Sequence, residues 1–244
     1  MPDKPRSTAP SKRRPLAIAA AVAVAAALLG TVSYTATRPE PRTDTARQES
    51  AAGQQPDDTT AQLLKLARRD ARDPLAQGRA DAPVVLIEYA DFKCGYCGKF
   101  ARDTEPGLVE KYVEDGTLRI EWRNFPIFGA ESEAAARAAW AAGQQGRFWQ
   151  FHAAAYADGA KEKGFGAARL DALARAAGVE DLDRFRRDRD AKAAHTAVTK
   201  DRDEAYSLGA TSTPSFLVNG QPIAGAQPAA AFAQAIDTAK AAAR

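Results

Sequence analysis

Apolar residues crowd into a few short blocks along this chain, separated by long helical stretches rich in alanine. The densest block is Val84-Val85-Leu86-Ile87-Glu88-Tyr89, a near-continuous run of β-formers suited to a strand buried on both faces. A short loop follows, and Cys94-Gly95-Tyr96-Cys97 then opens a helix that runs to about Glu114. Pro106 lies inside it and has no N–H to give, so the helix kinks or divides there. Asp115-Gly116 turns into a second strand, Thr117–Arg123, closing a βαβ unit. From about 129 to 208 the pattern is helical with no convincing strand, punctuated at Gly143–Gly146, Gly164–Gly166 and Gly178. Strand signals return at Ser215–Val218, followed by an Asn219-Gly220 hairpin turn, a short strand Gln221–Ile223 and a helix starting near Pro228. The charges from Asp181 to Glu204 alternate at helical offsets, such as Asp183–Arg187 and Asp188–Lys192, and read as a solvated face. Phe148, Trp149, Phe151 and His152 share one short helix and read as core; Phe92 and Phe216 are core or site-rim positions.

The segment before the first strand reads differently. Pro15 to Thr37 is a run of 23 uncharged residues between Arg14 and Arg38. As a helix it spans about 34 Å, enough to cross a hydrocarbon core of about 30 Å. An uncleaved transmembrane anchor is the expectation; the alternative is a cleaved signal peptide, for which Ser33-Tyr34-Thr35-Ala36 offers only a weak site. Lys12, Arg13 and Arg14 hold residues 1–14 in the cytoplasm, so the rest lies outside. Residues 38–60, rich in Pro, Thr, Gln, Asp and Glu, form a flexible linker with a reach of about 25 Å. Helical spacing resumes at Ala61–Ala71, either as a helix packed on the domain or as an amphipathic helix on the membrane. A folded domain over 61–244 follows.

Composition changes this picture in two places. The 45% hydrophobic share is inflated by alanine, so the core rests on few large side chains. The chain's +3 contains a net +4 from residues 1–14, so the remaining 230 residues sum to −1. The basic balance is a topogenic tail, and no nucleic-acid surface is implied.

The chain has two cysteines, and both are in Cys94-Gly95-Tyr96-Cys97. A zinc site takes about four ligands. Beyond the cysteines only His152 and His195 are on offer, far off in sequence, so no metal is expected. A purely structural disulfide across two residues closes a small loop and stabilises little. A redox-active dithiol fits better. At a helix N-terminus, unpaired N–H groups and the dipole favour a thiolate at Cys94, the nucleophile, with Cys97 one turn on as resolving partner. Glu88 is the one charged residue of the buried strand, where desolvation penalises its charge unless it has a task; the alternative places it at an edge in water. Lys93 either adds positive potential beside the thiolate or is an ordinary loop lysine.

Gly78-Arg79-Ala80-Asp81-Ala82-Pro83, the strand after it and Cys94-Gly95-Tyr96-Cys97 together resemble the DsbA-like branch of the thioredoxin superfamily. The likeness is greatest to its membrane-tethered, BdbD-type thiol-disulfide oxidoreductases. It continues through Arg123-Asn124-Phe125-Pro126, Gln145–His152 and Gly209–Phe216, and so covers about Pro74 to the C-terminus. The resemblance implies an α/β thioredoxin fold with an inserted helical domain at about 129–208, preceded by the anchor. It implies that Glu88 exchanges protons with Cys97. It also implies a cis Thr213-Pro214 bond lying against the cysteines, with the backbone of Thr213 offered to a substrate strand. Ordinary X-Pro bonds are cis in about 5–6% of cases, so the residues alone point to trans. The absence of histidine between the cysteines, unlike the most oxidising members, points away from an extreme potential.

The function expected is an extracytoplasmic enzyme of the bacterial cell membrane that donates its Cys94–Cys97 disulfide to exported proteins with free thiols. It needs no cofactor, and a quinone-linked membrane enzyme of the DsbB or VKOR type reoxidises it. Two other readings stand beside it: an envelope reductase or isomerase, and a non-catalytic tethered thioredoxin-like binding module.

Overall fold

A computed structural model describes residues 58–243. The expected cytoplasmic tail, transmembrane anchor and nearly all of the linker lie outside the described residues. Among those described, no helix is long and apolar enough to cross a membrane.

The centre is a five-stranded sheet in the order β1-β3-β2-β4-β5. Its strands are β1 (Ala76–Gln77), β2 (Val84–Ala90), β3 (Leu118–Asn124), β4 (Ser215–Val218) and β5 (Gln221–Ala224). β2 and β3 run parallel, pairing Val84 with Leu118 through Ala90 with Asn124, and every residue of both is buried. This is the continuous apolar pattern expected of a central strand covered on two faces. β4 runs antiparallel to β2, and the Asn219-Gly220 turn returns the chain as β5. Pro222 is accommodated because β5 is an edge. The two-residue β1, antiparallel to β3, carries too few residues for a pattern to announce it.

Strand alternation sorts the core. Val84, Leu86, Leu118, Ile120, Phe216 and Val218 face one way, against Phe100, Leu108, Tyr112, Phe232 and Ile236. The helices on that side are α2 (Gly95–Asp103), α3 (Glu105–Leu108) and α9 (Ala229–Ala242). Pro106 divides the long helix as expected: α2 stops at Asp103 and α3 begins with Pro106 in its first turn. A π-helical turn, Val109–Val113, completes the crossover.

Val85, Ile87, Tyr89 and Leu217 face the other way, against Phe125, Ala205 and the N-terminal segment through Leu63, Leu66 and Ala67. The N-terminal helix α1 is Asp58–Leu64, starting and stopping earlier than Ala61–Ala71. Past its end the amides of Lys65, Leu66 and Ala67 bond the carbonyls three residues back. The amides of Arg68 and Arg69, which a longer helix would use internally, donate to Glu121 Oε2 and Oε1 at 2.9 and 2.8 Å.

Between β3 and β4 the chain is helical: α4 (Ala130–Gly143), α5 (Phe148–Tyr156), α6 (Ala167–Ala176), α7 (Leu182–Asp190) and α8 (Lys192–Ser207). Small and large side chains interleave there, with Ala135, Ala138, Ala139 and Ala142 of α4 in one cluster with Phe148, Phe151, Phe165 and Phe185. The charged stretch departs from a simple solvated face. Asp183 pairs with Arg186 and Asp188 with Arg184, while the helix breaks at Ala191 and so separates Asp188 from Lys192. Asp201 is buried and Glu204 nearly so, because both turn toward the sheet.

That buried polar layer fills the second face of β3. Glu121 accepts from Arg119 Nε at 2.8 Å and Arg123 Nη2 at 2.9 Å, in addition to the two N-terminal amides. Arg123 Nε reaches Glu204 at 3.2 Å, which also accepts from Tyr89 at 2.7 Å. Asp201 pairs with Arg68 and accepts from the Asn124 amide at 3.0 Å. Charges taken out of water persist only when paired in this way.

Candidate active site

β2 ends at Ala90 and delivers a three-residue loop to the start of α2. Asp91 holds that loop. Its buried carboxylate accepts from the Lys93 amide and the Ser132 hydroxyl on one oxygen, and from the Ile127 and Phe128 amides on the other. Its own carbonyl accepts from the Cys94 amide at 3.0 Å. Cys94 is thereby fixed as the N-cap of α2, with extended backbone (φ −76°, ψ 120°), and its sulfur accepts from the Cys97 amide at 3.4 Å.

The two thiols, both free here, are electrostatically unlike. Hydrogen bonding from the Cys97 thiol lowers the Cys94 pKa to about 6, against the opposing effect of burial, with the Thr213 side chain and the amides of Cys97 and Tyr96 acting the same way. Cys97 is fully buried; desolvation, then its bond to Cys94, pushes its thiol well above the usual range. Opposite them the Thr213-Pro214 bond is cis, and the Cys94 thiol donates to Thr213 O at 3.2 Å across 119 residues of sequence.

Glu88 lies under the dithiol. Alternation puts it on the face shared with Leu86 and Ala90, completely buried, which excludes the placement at an edge in water. Neither carboxylate oxygen has a hydrogen-bond partner among the described residues. Desolvation, then the charges of Glu105 and Cys94, raise its pKa far above the carboxylate range. Lys93 turns away to pair with Glu131 at 3.0 Å. His152 is in the aromatic core against Phe92, Trp122 and Tyr156, and burial lowers its pKa to about 3, so it is neutral.

Cys94, Cys97, Glu88, Thr213 and Pro214 are therefore brought to one place, at the C-terminal end of β2. Three neighbours are not apparent from the sequence pattern. Asp91, Glu105 and Tyr156 are not singled out by it, yet all three are buried around the dithiol. The one available signal is Pro106, which marks a break at which Glu105 turns inward. A cavity of about 100 Å³ opens beside Cys94, lined by Phe92, Gly95, Arg102, Tyr156 and Lys161. Among the described residues no cluster of His, Cys, Asp or Glu is arranged to hold a metal.

A family model described as "Thioredoxin" matches residues 70–238, most of the chain and all the residues just placed. The chain belongs to the thioredoxin family. Within the superfamily it is DsbA-like. It is 31% identical over 148 residues to the probable disulfide bond formation protein D of Bacillus cereus, covering 59% of this chain and 68% of that one. Among solved structures it resembles a thioredoxin-like oxidoreductase from Silicibacter pomeroyi, 29% identical with a TM-score of 0.62, over 77% of this chain and 99% of that one. The fold also matches oxidised BdbD from Bacillus subtilis, 22% identical with a TM-score of 0.64, over 70% and 95% of the two chains. A longer relative, the Na(+)/H(+) antiporter NhaA 3 of Salinispora tropica, is 34% identical over 173 residues. This thioredoxin-family chain spans 25% of that relative's length, and the match takes in 69% of its own.

Proposed function

We propose that the chain is a thiol-disulfide oxidoreductase whose Cys94–Cys97 disulfide is donated to exported proteins bearing free thiols. The observation that carries this reading is the asymmetry of the pair: Cys94 near a pKa of 6 and Cys97 raised by burial. A substrate thiolate attacks the Cys94 sulfur, the S–S bond breaks, and its electron pair passes to Cys97. Cys97, so raised, takes a proton as it leaves, and the protonated Glu88 beneath it is the donor. A second substrate thiolate then attacks the mixed disulfide, and Cys94 departs as a stable thiolate. Ionisation of Cys94 ends its donation to Thr213 O and frees that carbonyl for a substrate amide, with Pro214 setting its direction.

Lowering the Cys94 pKa stabilises the reduced form, and each unit is worth about 30 mV toward a more oxidising couple. The relatives named for disulfide bond formation support this direction. An oxidant needs renewal, and a quinone-linked membrane enzyme of the DsbB or VKOR type is the partner proposed. Placement outside the cytoplasm on a single anchor rests on the uncharged run Pro15–Thr37 and its basic flank. A redox titration of the full chain tests the direction. A potential clearly above that of thioredoxin, at about −270 mV, is expected, with loss of exchange in Cys94→Ser. A potential at or below that value would favour the reductase reading, and full function without Cys94 would favour the binding module.

A further inference from the structure

The wall of α2 beside the reactive sulfur is bare backbone with two cations laid against it. Gly95 and Gly98 are three residues apart on α2 and so share a face. A Cβ on Gly95 would meet Lys161 Nζ at 3.3 Å, and one on Gly98 would meet Arg102 Nη1 at 2.9 Å. Both charged tips thus occupy space that a side chain would take. Arg102 is held there by the carbonyl at the end of α5, since Nη1 donates to Tyr156 O at 2.7 Å. Lys161 reaches in from the 3₁₀ turn Lys161–Lys163 that follows α5. With Cys94, Phe92 and Tyr156 they line the cavity of about 100 Å³, room for a carboxylate group.

The charge balance there differs from that of its surroundings. Lys93 and Lys99, at the same end of the sheet, are neutralised by Glu131 at 3.0 Å and Asp103 at 2.6 Å. Among the described residues Arg102 has no ion-pair partner, its one hydrogen bond being to a carbonyl. Lys161 has Glu162 alone, at 3.9 Å, the outer limit of a pair, and the Glu162 side chain is two-thirds exposed. Asp158 also borders the cavity but is exposed and pairs with neither cation. Cys94 keeps 6% of its surface exposed, so whatever reaches its sulfur comes within the field of these groups.

We propose that Lys161 and Arg102 are specificity-determining residues that select a thiol with a carboxylate beside it, seating that carboxylate in the cavity while the sulfur attacks Cys94. The inference rests on the exchange reading above and names its substrate class. The substrate thiolate forms a bond to the Cys94 sulfur, the Cys94–Cys97 bond breaks, and its electron pair goes to Cys97, which is protonated as before. A second substrate thiolate then releases Cys94 as a thiolate. The carboxylate takes no part in these transfers; the two cations offset its repulsion of the thiolate released at the end. An acidic residue next to a cysteine in an exported protein offers this chemistry, and so does a small mercapto-acid.

The test is the rate at which thiols of different charge reduce the disulfide of the full chain, followed by tryptophan fluorescence and divided by the concentration of attacking thiolate. One series is a dithiol peptide with Asp, Asn or Lys beside its first cysteine; the other is 3-mercaptopropionate against 2-mercaptoethanol. The readout is the acidic-to-neutral rate ratio, compared between wild type and variants so that the intrinsic reactivity of each thiol cancels. Lys161→Ala should lower this ratio about two- to fivefold, the scale of an exposed ion pair, and adding Arg102→Gln should lower it further. Lys161→Glu should carry it below the Lys161→Ala value, Lys161→Arg should restore it, and about 1 M salt should bring wild type and variants together. A merely structural loss would slow both members of a series alike and leave the ratio where it was. A shift seen with the peptides assigns the carboxylate to a protein substrate, and one confined to 3-mercaptopropionate assigns it to a small acid. Equal ratios for wild type and Lys161→Glu in both series overturn the inference, and the exchange reading survives because the neutral thiols still reduce the chain. A wild-type chain that none of these thiols reduces brings down that reading and the inference with it.

Discussion

Cys94 and Cys97 share a helical turn, yet the N-cap position faces amide N–H groups while the next turn faces the core. That difference predicts selective chemistry. In the reduced chain at pH 7, iodoacetamide should label Cys94 with a midpoint near pH 6 and leave Cys97 unmodified, as peptide mapping would read. Preferential labelling of Cys97 would contradict the assignment. Because folding depresses the Cys94 pKa, its thiolate stabilises the reduced fold fully above the unfolded value of about 8.5, and this is lost as pH falls through about 6. Glu88 carries the opposite sign. Its folded pKa is raised, so its cost is absent below the unfolded value of about 4.3 and grows with pH above it. Glu88→Gln should therefore stabilise the fold at pH 7 by more than about 1.4 kcal/mol, the worth of one pKa unit, in denaturant titrations. An equal or lower stability for the variant would mean that Glu88 is not held protonated.

β3 is the element in which local pattern and tertiary role diverge most. Its apolar face is ordinary, but Arg119, Glu121 and Arg123 occupy the other face of a strand with no exposed residue. They are tolerated because the N-terminal segment and α8 supply partners for each. For Glu121, burial alone would raise the pKa, but the hydrogen bond from Arg119, the Arg68 amide and the charge of Arg123 outweigh it and bring it to about 2. Its contribution to stability is present above the unfolded value of about 4.3 and disappears as pH falls through about 2. Glu121→Gln should cost about 3–5 kcal/mol at pH 7 and flatten that acid dependence, since it leaves the buried Arg119 guanidinium without a carboxylate and Arg123 with Glu204 alone. A loss under about 1 kcal/mol would show that the network gives order without stability. The turn after β1 has a steric requirement. Gly78 has φ +92°, and a Cβ there would lie 2.5 Å from Leu118 O, so Gly78→Ala should lower stability by more than about 1 kcal/mol. Thermal unfolding of the variant would read this directly.

For the molecule as a whole, the thiolate makes the oxidation state a stability variable. If Cys94 is held ionised only in the folded dithiol, the reduced chain should melt above the disulfide form, and Cys94→Ser should abolish the difference. A disulfide form that melts higher would mark a structural bond. Much of this architecture is legible in the order of residues. The run Val84–Ala90, the Cys-x-x-Cys at a helix start, the Pro106 break, the helical stretch and the Asn219-Gly220 hairpin are local signals, each set by backbone sterics or the period of a buried face. Sequence also nominated Glu88, because a lone charge in an apolar strand is anomalous wherever the strand ends up. It did not reveal Glu105, Asp91 or the partners of Glu121. Those depend on which face a broken helix turns inward and on segments some 30 to 80 residues apart meeting across the sheet, as Asn124 meets Asp201 over 77 residues. The segment after α1 shows the same dependence: a carboxylate on a distant strand holds the Arg68 and Arg69 amides. Spacing along the chain determines what a segment can form; the low-dielectric interior, where every charge must find a counterpart, decided which of those charges meet.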